Sequence, residues 1–297
     1  VPPLDLQSSD AVIEAFQRGT QANLTAPCRQ GSIDVITAPG KLIATGDLHD
    51  NPIHYAKLLK LAGLEGEAFD PANPPSHLTL HELIHGDRLI NGMDFSYRVL
   101  ARAADLKSRF PEHVHILLGN HELSQIAGAG IVKDGVKVVE VFNEGVEYVF
   151  GSDAQAVNEA IGEFVRSMPL ALRCVCPRGD ILCAHSVPPA AIMQRFDPSI
   201  LSRSLEPQDY EPRRGSAHLM VWGRAYDAEL LEDLTERWGV YLFILGHEKA
   251  ENGSKFVAPN AVILNSDHER GVYLPIDLSD PPRPEEAMAM VRPLGEV

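Results

Sequence analysis

Apolar positions along this chain repeat with two periods. The helical period places Val12, Ile13 and Phe16 on one face of a segment that Ser9 or Asp10 can cap and that Gly19 is expected to end. PIHYAKLLKLAGL reads as a second helix, with Pro52 at its first position and Tyr55, Leu58, Leu59 and Ala62 on a shared face. FSYRVLARAADLKSRF, SDAQAVNEAIGEFVRSM and DAELLEDLTERWG continue the helical set. Strand-like runs lie between them. SIDVITAPGKLIATGD predicts two strands joined at Pro39-Gly40, and LALRCVCPRGDILCAHS a hairpin turning at Pro177 to Asp180. HLTLHELIHGD, EHVHILLGNHE and VYLFILGHE each predict a strand, and NAVILNSD with GVYLPIDL a final pair. FDPANPPSH reads as loop. Alternation of strands and helices implies an α/β or mixed α+β architecture, and the hairpins imply sheets that are not purely parallel. The expected organisation is an N-terminal arm and helix over 1–39 packing on a core domain over 40–278, with a Gly-rich cap insertion at 126–150 and a Pro-rich, loosely held tail at 279–297.

Polar residues collect where these apolar runs stop. KLIATGDLH ends in Asp47 and His49, HELIHGD in Asp87, VHILLGNH in Asn120 and His121, GDILCAH in His185, and VYLFILGH in His247. In open α/β sheets the C-terminal strand ends are where ligands bind. A lone histidine there is usually structural and a lone Gly-Asp is usually a turn; five repeats of one pattern point to a shared metal site. Carboxylate, imidazole and amide oxygen without thiolate suit Mn, Fe or Zn better than copper(I) or iron–sulfur clusters. Six ligands are too many for one open catalytic metal and fit two metals sharing a carboxylate, an arrangement that can clamp an in-line displacement at phosphorus.

Composition narrows the partners. The chain has 297 residues and a formal net charge of −15, which suits cations and disfavours nucleic acid and anionic membranes. No apolar run approaches the roughly 18 residues of a membrane span. The first residues, VPPLDLQSSD, lack the features of a signal peptide, so a cytoplasmic location is expected, with removal of an earlier targeting segment left open. Cys28, Cys174, Cys176 and Cys183 read as buried free thiols, with a disulfide also left open.

GDLH, the Gly86-Asp87 pair, GNHE, the strand-end His185 and GHE together resemble the calcineurin-like metallophosphoesterases, and in order resemble their bacterial serine/threonine phosphoprotein phosphatase branch. The resemblance covers roughly residues 40–275. It implies two mixed β-sheets packed as a sandwich flanked by helices, two divalent or trivalent metal ions (Mn foremost, Fe or Zn as alternatives), and hydrolysis of a phosphorylated substrate, either a phosphoprotein or a small phosphate ester, by metal-activated hydroxide. Carried over by position, Asp47 and His49 would bind the first metal, Asp87 would bridge, and Asn120, His185 and His247 would bind the second. His121 would be the general acid.

Departures from the family pattern fall around the second motif. Where that branch follows its aspartate with xVDRG, this chain has GDRLING, so the orienting Asp is replaced by Ile90 and the phosphate-gripping Arg by Asn91. GDxHG appears as GDLHD, with Asp50 at the glycine position. Arg224 and Arg88 are candidates for the missing cation, Asp94 or Asp105 for orienting His121, and His85, His218 and His268 for supporting or structural roles. Two alternatives stay open: a hydrolase of dinucleoside polyphosphates, nucleotides or diesters, and a metal-binding scaffold with weak turnover.

Overall fold

A computed structural model describes residues 3–66, 70–128, 131–133 and 135–297. The first two residues of the arm, Phe69 of the expected loop, and residues 129, 130 and 134 of the expected cap lie outside the described residues. In chain order the elements are α1 (Ser9–Thr25), β1 (Arg29–Gln30), β2 (Ile33–Thr37), β3 (Lys41–Thr45), α2 (Pro52–Ala62), β4 (His77–His81), α3 (Tyr97–Arg109), β5 (Val114–Leu117) and α4 (Asn120–Ala127). A hairpin of β6 (Val132–Lys133) and β7 (Val136–Lys137) leads into α5 (Val138–Phe150) and α6 (Ala154–Ser167). There follow β8 (Ala171–Val175), β9 (Asp180–Ala184), α7 (Ser216–Val221), α8 (Ala228–Trp238), β10 (Val240–Leu245), β11 (Ser254–Val257), β12 (Ala261–Leu264), β13 (Val272–Asp277), α9 (Pro284–Met290) and β14 (Arg292–Pro293).

Two mixed sheets form the sandwich. One has the order β1-β2-β8-β9-β10-β12-β11, the other β14-β13-β3-β4-β5. The first is parallel at β2–β8, β9–β10 and β10–β12; the second is parallel at β3–β4 and β4–β5. Alternation along each strand builds the layers. Leu172, Cys174, Ile181, Cys183, Leu242, Ile244 and Val262 of the larger sheet share one buried cluster with Leu42, Ala44, Leu117, Leu274 and Ile276 of the smaller. The opposite side chains, among them Phe243, Leu245, Leu78 and Ile116, join the core beneath the helices. Strand β10 is therefore buried on both faces, which is why VYLFIL reads as a continuous apolar run.

Several expectations are corrected by long-range packing. Gly19 does not end α1, which runs to Thr25; a Cβ at Gly19 would meet Ala104 and Phe164 at 2.8 Å, so its absence lets α1 seat between α3 and α6. The two strands joined at Pro39-Gly40 are present as β2 and β3, and the turn carries the chain from one sheet to the other. β12 and β13 are likewise in different sheets. Residues 138–150 of the expected cap are a helix packed on α6. The tail is docked, with β14 paired to β13 and with Ala287 and Leu294 fully buried. The four cysteines are buried free thiols. No helix among the described residues is long and apolar enough to cross a membrane.

Candidate metal centre

The two sheets meet at Asp47, whose backbone bridges to His81 after β3 and β4 have paired, and to Asn265 after β12. Around this seam the strand ends deliver their polar residues: Asp47 and His49 after β3, Glu82 after β4, Asn120 and His121 at the start of α4 after β5, His185 after β9, and His247 after β10. The turns are tight. His49, Asp50, Glu82, His85 and His247 take positive φ values of 41°, 53°, 51°, 59° and 65°. Such conformations cost non-glycine residues roughly 1–3 kcal/mol each and collect at functional sites. Asp50 thus keeps the left-handed backbone that explains a glycine at its position in the family pattern. Cross-loop bonds hold the turns: Leu48 and His49 N–H groups donate to the Glu82 carbonyl at 3.2 and 2.7 Å, and Leu83 N–H donates to Glu122 Oε1 at 2.7 Å. A side chain at Gly246 would run into Asp47 and His81, so glycine is needed there for β10 to end against them.

Glu82 is the centre of the cluster. Its Oε1 lies 3.2 Å from His49 Nε2 and 3.5 Å from His121 Nε2, and its Oε2 lies 2.8 Å from His185 Nε2. His185 Nε2 is also 2.8 Å from Asn120 Oδ1 and 3.1 Å from His247 Nδ1. On the other edge of the His185 ring, Nδ1 is 3.3 Å from Asp47 Oδ1 and 3.2 Å from His81 Nδ1. Asp47 accepts the His247 N–H at both carboxylate oxygens.

Proton counting shows what such an arrangement lacks. His49 Nδ1 sits 3.2 Å from the Ile84 carbonyl and His81 Nε2 sits 2.8 Å from the Thr45 carbonyl, so both nitrogens must donate. In the neutral rings that leaves His49 Nε2 and His81 Nδ1 as lone pairs aimed at carboxylate oxygens, so each contact calls for a cation, a proton or a metal ion. Around His185 Nε2, an amide oxygen, a carboxylate oxygen and an imidazole nitrogen compete for at most one proton. Among the described residues, His247 Nε2 is buried with no hydrogen-bond partner, and the 2.8 Å approach of Glu82 Oε2 to His185 Nε2 is an ion-pair contact without hydrogen-bond geometry. Buried acceptors converging in this way satisfy one another only around a cation. Carboxylate, imidazole and amide donors without thiolate fit a divalent metal, and the carbonyl-anchored ring of His49 has the orientation usual for a metal-binding imidazole.

Electrostatics carry the same demand. Burial alone would lower His185, but the carboxylates of Glu82 and Asp47 outweigh it and raise the imidazole to about 10. Burial opposes charge on His49 too, and Glu82 raises it to about 9. Burial and then Glu82 would raise Asp47, but His185 and His81 draw it well below the usual carboxylate range. His121 and His247, mainly through burial, fall to about 4 and about 3. Glu122 rises to about 7 through burial and its proximity to Glu82.

Asp87 does not join this cluster. Its side chain is 74% exposed and pairs with Lys133 Nζ at 2.7 Å. The strand expected to run to Gly86-Asp87 stops at His81, five residues before Gly86, so the carboxylate at the strand end is Glu82. Placed on Glu82, the family spacing Asp-x-Val-Asp falls on Glu82-Leu83-Ile84-His85, and Ile90 and Asn91 are no longer at the positions of the orienting Asp and the gripping Arg. Arg88 is also outside the cluster, exposed and donating to the Asp50 carbonyl. Arg224 lies against it, with Nη1 donating to the His247 carbonyl at 2.8 Å. Asp94 accepts Ser96 N–H, and Asp105 pairs with Arg18 and Arg109; His85 contacts His121 instead. His218 stacks on Trp222, and His268 lines the cleft. Glu82, His81 and His85 were absent from the expected ligand and acid set; the signal that finds Glu82 is the end of the alternating run HLTL. The cleft over the cluster has a volume of about 830 Å³ and is lined also by Lys133, Trp222, Arg224, Lys249 and Arg270.

Known proteins resemble this chain in sequence and in fold. The calcineurin-like phosphoesterase family matches residues 40–250. The catalytic subunit A2 of serine/threonine-protein phosphatase 2B from Saccharomyces cerevisiae is 27% identical over 206 residues, covering 68% of this chain and 29% of that protein. The chain therefore spans less than a third of that relative's length. The fold is similar to that of a protein serine/threonine phosphatase from Saccharomyces cerevisiae, with a TM-score of 0.65 and 16% identity over 91% of this chain and 83% of the other. It is also similar to a cold-active protein-tyrosine phosphatase from a psychrophilic Shewanella, with a TM-score of 0.54 and 16% identity over 86% and 80% of the two chains.

Proposed function

We propose the reaction from one premise: the chain belongs to the calcineurin-like phosphoesterase family. The proposed activity is metal-dependent hydrolysis of phosphate monoesters, of the kind carried by serine and threonine side chains. The observation that carries it is the set of buried carboxylate, amide and imidazole acceptors converging on Glu82, which are more than one proton per neutral imidazole can satisfy. Asp47, His49 and Glu82 would hold one ion; Glu82, Asn120, His185 and His247 would hold a second. Glu82 would be shared by both sets, because its Oε1 faces His49 and its Oε2 faces His185. Mn is the foremost candidate, with Fe or Zn as alternatives. Bound divalent ions supply Lewis-acid polarisation of a phosphoryl group and a lowered pKa for water.

The chain's own groups supply the rest. Arg224, fixed by the His247 carbonyl, presents its guanidinium to the cleft for a phosphate oxygen. Lys133, clamped by Asp87, approaches from the β6–β7 hairpin. His121 at the first turn of α4 turns Nε2 toward the cluster and would protonate the leaving alkoxide. A second reading, hydrolysis of dinucleoside polyphosphates or other multiply charged phosphates, draws on Lys249 and Arg270, which add cations to the cleft beyond those one phosphate needs.

Turnover of p-nitrophenyl phosphate, bis-p-nitrophenyl phosphate, a phosphoserine peptide and a dinucleoside tetraphosphate with Mn²⁺ separates these readings. Preference for the monoester and the peptide is expected; preference for the tetraphosphate would favour the second reading, and no turnover of any would leave a scaffold. His121→Asn should lower kcat for phenyl phosphate by about 10²–10⁴-fold and for p-nitrophenyl phosphate far less, because nitrophenolate needs no proton to leave. Equal losses would refute the general-acid role.

A further inference from the structure

His121 needs a partner at its second nitrogen, and the family pattern supplies a carboxylate where this chain has His85. We propose that His85 is the positioning residue for His121, held in the required tautomer by Gln125. The inference rests on the reading of His121 as general acid.

The geometry is a chain of hydrogen bonds leading away from the cluster. His121 Nδ1 is 2.9 Å from His85 Nδ1, and His85 Nε2 is 3.0 Å from Gln125 Oε1. Gln125 Nε2 in turn donates to Asn143 Oδ1 at 2.7 Å. An amide oxygen only accepts, so His85 must carry its proton on Nε2. Its Nδ1 is then a bare lone pair, and the bond to His121 can exist only if His121 donates from Nδ1. One nitrogen of His121 is thereby assigned, and any second proton must sit on Nε2, which faces Glu82 and the cleft. After that proton leaves, the ring is still hydrogen-bonded and does not have to turn.

Packing keeps His85 in place. Its ring is fully buried, Phe142 of α5 meets it edge-on at 5.6 Å, and its backbone N–H donates to Ser96 Oγ at 3.1 Å. Residue 85 has a φ of 59°, so the turn after Glu82 is shaped to bring this ring beneath His121. Gln125 and His121 lie four residues apart on α4, one turn, which sets the amide over the far side of the His85 ring. The α5 helix of the 126–150 segment thus reaches the acid through Phe142 and Asn143.

Kinetics with two leaving groups and nitrogen-15 NMR of the zinc-loaded protein test the relay. In His85→Ala, kcat for phenyl phosphate should fall about 10–100-fold, while kcat for p-nitrophenyl phosphate and metal content stay near wild type. Gln125→Leu, at a position that tolerates change better, should show the same selective loss to a smaller degree. Gln125→Glu, which keeps an acceptor, should restore it. In the wild type, histidine nitrogen-15 shifts should show His85 protonated on Nε2 and His121 on Nδ1. A His85 protonated on Nδ1, or losses in His85→Ala and Gln125→Leu that are equal for both substrates or absent, would overturn the relay. If His121→Asn is selective and these variants are not, only the relay fails; if His121→Asn is itself unselective, the general-acid reading fails first.

Discussion

Asp34 and Asp47 are both buried aspartates beside imidazoles, yet their surroundings have opposite character. On β2, Asp34 accepts Arg29 Nε at 2.8 Å and His115 Nδ1 at 2.7 Å, and Lys107 Nζ stands at 3.7 Å. Lys107 spends its remaining protons on the Pro111 and Val114 carbonyls. The thiol of Cys28, which also borders this cluster, is pushed up to about 11 by burial and then by Asp34. Protein cations thus neutralise Asp34. Asp47 instead shares its neighbourhood with Glu82 and with imidazole lone pairs. Both clusters join aspartate to histidine within buried apolar walls, and they differ in the Arg29 and Lys107 cations beside Asp34. Counting N–H donors separates them: the carboxylate of Asp34 is met by donors within the chain, and the Asp47–Glu82 cluster calls for a cation from outside it.

The sharpest way to break this comparison is to neutralise the centre of each cluster. Glu82→Gln should cost several kcal/mol of transition-state stabilisation, on the order of 10³-fold in kcat, with the fold retained in circular dichroism. Asp34→Asn should act on stability instead. It leaves Lys107 and Arg29 buried beside a neutral group and should lower unfolding free energy by about 3–5 kcal/mol in urea titrations, with turnover per folded molecule unchanged.

The Asp34 loss should also depend on pH. Burial pushes the carboxyl up, but His115, Lys107 and Arg29 outweigh it and hold it well below the usual range. A depressed carboxylate contributes fully above the ordinary aspartate value of about 3.9, and that contribution is lost as pH falls through the folded-state value. The stability gap between wild type and Asp34→Asn should therefore be constant from pH 7 to about 5 and shrink below about 4. A gap unchanged down to the acid transition would contradict the charged state assigned to Asp34.

Smaller effects sharpen the cleft side of the comparison. Arg224→Ala should reduce kcat/KM about 10–100-fold, the value of charge-assisted hydrogen bonds, and Arg88→Ala should change nothing. Lys133→Ala should raise KM about two- to five-fold, and Asp87→Ala should follow it in direction, because Asp87 holds that lysine. A larger effect for Arg88→Ala than for Arg224→Ala would reverse the assignment of the phosphate-binding cation.

Much of the site could be read from the sequence because strand ends are local features. An alternating run that stops at Gly-Asp or Gly-His places its next side chain at a sheet edge, and Asp47, Asn120, His121, His185 and His247 all lie at the cluster. The second motif was misplaced because Gly86-Asp87 imitates that local signal while β4 has already ended at His81. Glu82 is recognised from strand length and from the left-handed turn that follows, neither of which the residue letters carry. The sheet partners of β2 and β3 are not legible for a related reason: a turn pair sets a bend, and the choice of sheet depends on contacts more than a hundred residues away, such as β2 with β8. His85 was visible as a histidine near a motif, but its bond to His121 exists only once α4 packs over the β4 turn.

The account stands on Glu82 as the carboxylate shared by two metals. Elemental analysis of gel-filtered, Mn²⁺-loaded wild type, Glu82→Gln and Asp87→Asn counts the metals directly. Two ions per chain are predicted for wild type and Asp87→Asn, and one or none for Glu82→Gln. Two ions in Glu82→Gln with one in Asp87→Asn would return the bridge to Asp87 and contradict the account.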